Sequence, residues 1–221
     1  MIKAILFGAI GTLVETSELQ RLAFNQAFAE ARLPWFWGPE QYKEMLQTSG
    51  GLARIQAFTD ETGEKVDATR LHARKSQIFQ ERLVDGVPLR DGVLEVVESA
   101  KGKGVKLGFV TTTSRSNVES VLKAAGLKTS DFDFIGDAEC VSRSKPHPDI
   151  YQLALSELEV AAKDCIAIED SAVSAKSAVA AGIPTLAFPG HFHKDDQFDG
   201  LVEVVQQLSP ALVGLARKAA A

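Results

Sequence analysis

No aspartate occurs in this 221-residue chain before Asp60, and cysteine, methionine, tryptophan and tyrosine appear only twice each. These scarcities exclude several classes of protein. Cys140 and Cys165 stand far apart in no metal-type spacing, so both are expected to be reduced thiols, Cys165 buried in a strand. There is no basic surplus: 24 Lys and Arg against 29 Asp and Glu leave a formal charge of −5, which speaks against nucleic acid as a partner. No apolar run approaches the ~18 residues that span a bilayer, so no membrane is expected either. The N-terminus enters a strand pattern at once and lacks the charged and small-residue flanks of a signal peptide, which predicts a cytoplasmic location. What is present is ordinary for a globular protein with a full core, 45% hydrophobic and 24% charged.

Short apolar runs at residues 2–7, 105–111, 132–135, 165–168, 184–188 and 201–205 alternate with helix-period segments. That alternation predicts an α/β fold, a parallel sheet wrapped by helices. Val93, Val96, Val97 and Ala100 make one helix face, and Val118, Val121, Leu122 and Ala125 another, which Gly126 should stop. Pro148 suits the first turn of a helix at 149–158, and Gly182 should end the Ala-rich helix from about Ser174. Residues 15–88 break the rhythm. Leu19, Leu22, Ala23, Phe24, Ala27 and Phe28 share one face, Leu52, Ile55 and Phe58 a second, and Leu71, Ile78 and Phe79 part of a third, with no convincing strand between. The pattern predicts a helical cap domain, residues 16–87, inserted into a core of residues 1–15 and 88–221. Its hinges would lie near 15–17 and 86–88, and the closing ARKAAA, residues 216–221, reads as a fraying helix end.

In open α/β sheets, ligands bind beyond the carboxyl ends of the strands. After the first strand come Gly8, Ala9, Ile10, Gly11 and Thr12; after the second, Thr111, Thr112, Thr113 and Ser114. Lys145 precedes Pro146 in SRSKPHPDIYQLAL, and Glu169 and Asp170 stand exposed after the fourth strand. Singly, each has a plain structural reading: a turn at Gly11–Thr12, a helix cap at 111–114, a solvated lysine, an N-cap with a first-turn acid. Together they put hydroxyls, backbone amides, one lysine and two carboxylates at one sheet edge. That set suits phosphate oxygens and Mg²⁺.

The segments SKPHPDIYQLAL, CIAIEDSAVSAKSAVAAGIPT, VTTTSRSNV and SGGLARI resemble the haloacid dehalogenase superfamily of phosphatases and phosphomutases. Within it they are most similar to the sugar-phosphate branch of CbbY-type phosphatases and β-phosphoglucomutases. The resemblance spans essentially the whole chain. It implies a Rossmann-like core, a helical cap and an active site at their junction. It further implies that Thr111 and the Thr112 amide hold phosphate, that Lys145 bridges nucleophile and phosphate, that Glu169 and Asp170 bind Mg²⁺, and that Arg54 recognises substrate from the cap.

The first motif departs from the family. Gly8 stands where the family has its nucleophilic aspartate and Ile10 where it has the aspartate that serves as acid and base; neither can do that chemistry. With no Asp before Asp60, no shift of register rescues the nucleophile. Glu15, Gln20 and Leu52 replace the usual aspartate, histidine and lysine, and a magnesium site without residue 8 would be weakened. The leading expectation is a catalytically disabled relative that keeps a pocket for a small phosphorylated metabolite or inorganic anion. Two alternatives stand beside it: a weak or altered Mg²⁺-dependent hydrolase of phosphorylated sugars, and a non-enzymatic interaction scaffold. LPWFWGP, residues 33–39, would supply the aromatic surface for the last, if its tryptophans are exposed.

Overall fold

The computed structural model describes residues 2–8, 10–48, 50–201 and 203–215; the expected frayed end at 216–221 lies outside the described residues. Among the described residues six parallel strands form one sheet in the order β3-β2-β1-β4-β5-β6. They are β1 (Ala4–Gly8), β2 (Lys106–Val110), β3 (Phe134–Gly136), β4 (Cys165–Glu169), β5 (Thr185–Ala187) and β6 (Glu203–Val204). β1 is buried throughout, as a strand covered on both faces must be, and its AILFG run is apolar without alternation. It lies between β2 and β4, so three strand ends come together: Gly8 pairs with Val110, and Phe7 with Ile168, one residue before Glu169.

Between β1 and α5 (Val93–Gly102) the chain folds into α1 (Ser17–Glu30), α2 (Pro39–Met45), α3 (Gly51–Thr62) and α4 (Ala68–Arg82). An antiparallel bridge, Val14 to Leu89, closes this helical excursion, and the Arg90 amide donates to the Leu13 carbonyl at 2.8 Å. The excursion has an aromatic centre: Trp37 packs within 6.2 Å of Phe24, Phe28, Tyr42 and Phe58, and Trp35 against Phe28 and Phe58. Both tryptophans are buried, and of the three aromatic residues in LPWFWGP Phe36 alone faces solvent, too little for an aromatic docking surface. The two indoles fill the space between α1, which carries Phe24 and Phe28, and α3, which carries Phe58.

The remaining helices are α6 (Arg115–Ala124), α7 (Asp149–Glu157), α8 (Ala172–Ala180) and α9 (Pro210–Leu215). Gly126 and Gly182 follow α6 and α8 with φ of +73° and +76°, left-handed positions where a side chain would be strained. Pro148 is the N-cap residue of α7 rather than part of its first turn. Leu52, expected on an apolar face, is exposed, because Arg54 and Ile55 are the residues its helix turns inward. Cys165 is buried and Cys140 exposed; both are free thiols.

Candidate functional site

A cavity of about 770 Å³ opens between the strand ends and the four helices. From the sheet side, Ile10, Gly11, Thr111 to Ser114 and Asp170 line it; from the helices, Gln20, Phe24, Tyr42, Arg54, His72 and Lys75 do. The strand ends are therefore where α/β geometry puts a ligand.

The loop after β2 offers the anion-binding chemistry. Thr111 is buried, its Oγ1 accepts the Thr113 amide at 3.3 Å, and Ser114 is the N-cap residue of α6, though its side chain makes no cap hydrogen bond. The loop thus brings hydroxyls that both donate and accept to the start of a helix, where the dipole favours an anion.

Lys145 and Glu169 are elsewhere. Both are fully buried and neither lines the cavity. Lys145 Nζ donates to Glu169 Oε1 at 2.6 Å and to the Val110 carbonyl at 3.0 Å, and Tyr151 donates its hydroxyl to the same carboxylate oxygen. Glu169 Oε2 has no hydrogen-bond partner. Burial pushes the Glu169 carboxyl above its ordinary range, against the pull of Lys145, and burial with the neighbouring Glu169 pushes the Tyr151 phenol far up. The exposure expected of Glu169 and Asp170 is thus corrected: both are buried, because β4 is a central strand and α8 closes over its end. The α8 N-cap is Ser171, which accepts the Ser174 amide, so neither acid serves as the cap.

Gly8 explains the arrangement. A Cβ built on Gly8 would lie 2.2 Å from both Cδ and Oε1 of Glu169 and 2.3 Å from the Tyr151 hydroxyl. The space of a residue-8 side chain is filled by groups from β4 and α7. Gly11 is equally tight, its built Cβ falling 1.9 Å from Asp170 Oδ2. Ile10 presents only hydrocarbon to the cavity.

Arg54 lines the cavity but spends its guanidinium on its own segment: Nε donates to the Met45 carbonyl at 3.1 Å and NH2 to Thr48 at 3.0 Å. Three groups that sequence reasoning missed line the same cavity. Lys75 is buried over the Phe24 and Phe79 rings and donates to Gln20; desolvation, aided by the Arg54 charge, lowers its pKa to about 7. Desolvation likewise lowers His72 to about 4. His193 lies across from them, its Nδ1 3.0 Å from Asp196 Oδ2, which also accepts the Ala172 amide at 3.0 Å. The three-residue spacing of His193 and Asp196 was the only available signal; nothing marked Lys75 apart from other helix lysines.

Magnesium fits this donor set poorly. Gly8 and Ile10 offer no side-chain oxygen, Glu169 is tied to Lys145, and Asp170 alone among the four presents a carboxylate to the cavity. Among the described residues no three His, Cys, Asp or Glu side chains converge as a metal site. A hard cation needs several oxygen ligands around it.

Sheet order, strand-end site and intervening helices define a Rossmann-like α/β architecture, and the family model of haloacid dehalogenase-like hydrolases matches residues 5–188. The chain belongs to that family. It is 39% identical over 206 residues to the protein CbbY of Cereibacter sphaeroides, covering 90% of each chain. It is 35% identical over 216 residues to that of Rhodobacter capsulatus, covering 95% of each. The crystal structure of CbbY from Rhodobacter sphaeroides in complex with phosphate superposes with a TM-score of 0.89 at 37% identity, over 94% of this chain and 95% of that one. A mutant of that protein was solved with xylulose-(1,5)bisphosphate, with the same TM-score, 0.89.

Proposed function

We propose that this chain is a CbbY-type family member without hydrolytic chemistry, a pseudoenzyme that holds a small phosphorylated molecule or inorganic phosphate between its core and a cap of residues 16–87. The observation that carries this reading is the end of β1: Gly8 has no nucleophile, and the Glu169 carboxylate and Tyr151 hydroxyl fill the place where one would stand. The retained half of the site supports binding. The Thr111 hydroxyl and the Thr112 amide donate hydrogen bonds to phosphate oxygens ahead of α6, while Lys75 and Arg54 offer positive charge from the cap. The phosphate and bisphosphate bound by the similar protein suggest the ligand class. In this reading Thr111, Thr112 and Arg54 hold the ligand. Lys145 is occupied by Glu169, so it steadies the strand ends instead of bridging to phosphate.

The test is calorimetric titration of the native chain with inorganic phosphate and with sugar mono- and bisphosphates. Saturable binding that weakens about tenfold or more in Thr111→Val is expected, from the loss of a hydrogen bond to a charged group. Absence of binding by every compound would sink the reading.

One observation favours a second reading, an altered hydrolase. His193, held by Asp196, lines the same cavity as Asp170 and could take a proton from an attacking water. Phosphate release by the native chain, abolished in His193→Gln, would support it. The scaffold alternative loses its motive with Trp35 and Trp37 inside.

A further inference from the structure

We infer that Glu169 is a stand-in for the missing side chain of residue 8 and no longer a metal ligand, so that this chain takes its anion without a divalent cation, and an acid restored at residue 8 would drive Glu169 back out and rebuild the cation site.

The geometry supports each part. The built Cβ of Gly8 collides with the Glu169 carboxyl and the Tyr151 hydroxyl, so the carboxylate and any side chain at residue 8 compete for one volume. Glu169 is held there by three groups: Lys145 from the loop before α7, Tyr151 from α7, and the wall of β1 itself. Lys145, anchored to the Val110 carbonyl, has Glu169 as its acidic partner. In a dry interior each charge of such a pair is retained only because the other is present. A cation drawing Glu169 into the cavity would leave Lys145 uncompensated, a penalty that sets the pair against the metal. With residue 8 occupied, the balance reverses. Two of the three colliding atoms are the far end of Glu169, a flexible side chain that can turn away, and the third is the hydroxyl of the buried Tyr151 ring, which must shift with α7, whereas the backbone of β1 is fixed between β2 and β4. The carboxylate would then leave Lys145 to the new acid. The orphaned Oε2, buried without a hydrogen bond, shows that Glu169 is imperfectly satisfied where it now lies.

The inference rests on the proposed anion site only for its statement about the anion, and the metal can be tested separately. Mn²⁺ is titrated into the folded proteins and free ion followed by electron paramagnetic resonance. The native chain should bind no tighter than the millimolar range, and Glu169→Gln should leave that unchanged. Gly8→Asp should tighten binding about a hundredfold or more, since a carboxylate beside a divalent ion is a strong interaction. Adding Glu169→Gln to Gly8→Asp should then cost about tenfold, because the expelled carboxylate has become a ligand. Micromolar Mn²⁺ binding by the native chain that Glu169→Gln destroys would overturn the inference. So would a folded Gly8→Asp variant that gains nothing. Should Gly8→Asp fail to fold, the native chain and Glu169→Gln decide alone: equal affinities support the inference and a tenfold loss overturns it. For the anion, phosphate affinity should be the same in EDTA and in excess Mg²⁺; binding only with Mg²⁺ would overturn it. No phosphate binding in either buffer would sink the proposed function and leave the metal titration to judge this inference.

Discussion

The Lys145–Glu169 pair carries the largest local stakes in the molecule. Its worth as a pair is small, because both ions gave up water to be buried; its worth to either partner alone is large. Glu169→Ala should cost about 3–5 kcal/mol in urea unfolding by stranding the lysine, whereas Lys145→Met with Glu169→Leu should cost much less than the two single changes summed. Lys75 gives a pH signature. Its pKa falls from 10.5 in the unfolded chain to about 7 in the fold. Between those values the unfolded state binds the extra proton, so stability rises as pH climbs from about 7 to about 10.5, and the penalty is constant below. Cation–π contact with Phe24 and Phe79 offsets part of it. The urea midpoint should therefore climb through that window, and Lys75→Met should flatten the climb. The positions of Thr111, Lys145, Glu169 and Asp170 were legible in the sequence, because strand ends and a motif mark them. The pairing of Lys145 with Glu169 was not, since it depends on a hole at Gly8 that only the three-dimensional arrangement reveals.

Strands and helices were legible to within a few residues, and the misses share a cause. Periodicity finds a face but not its edges, so Leu52 counted with Ile55 although it sits at the rim of the cavity. Of the last strand, expected over 201–205, Glu203–Val204 pairs with β5 at the sheet edge, and residue 202 lies outside the described residues. Aromatic clustering in LPWFWGP was open to two readings by composition alone; packing chose the interior. Trp37, wholly buried among four rings, should show blue-shifted emission and resist acrylamide, and Trp37→Ala should cost about 3–5 kcal/mol. A second set of contacts joins α2 to the 190s loop: the Tyr42 and Phe192 rings meet at 5.7 Å and Lys43 bonds Asp195 at 2.6 Å. The ion pair is exposed and worth under about 1 kcal/mol, so the aromatic contact holds that edge.

For the molecule as a whole, fold and function part company. The sheet, the helical excursion and the strand-end cavity are those of a hydrolase family, yet the strand that should carry the reaction ends in Gly8. Function follows from the site and not from the fold. In the proposed function the site keeps what binds an anion and lacks what breaks a phosphate ester. The difference can be read in phosphate release from a panel of sugar phosphates with Mg²⁺, comparing the native chain with Gly8→Asp/Ile10→Asp. The account predicts no release by the native chain and measurable turnover by the restored one. Release by the native chain that disappears in Asp170→Ala would contradict it.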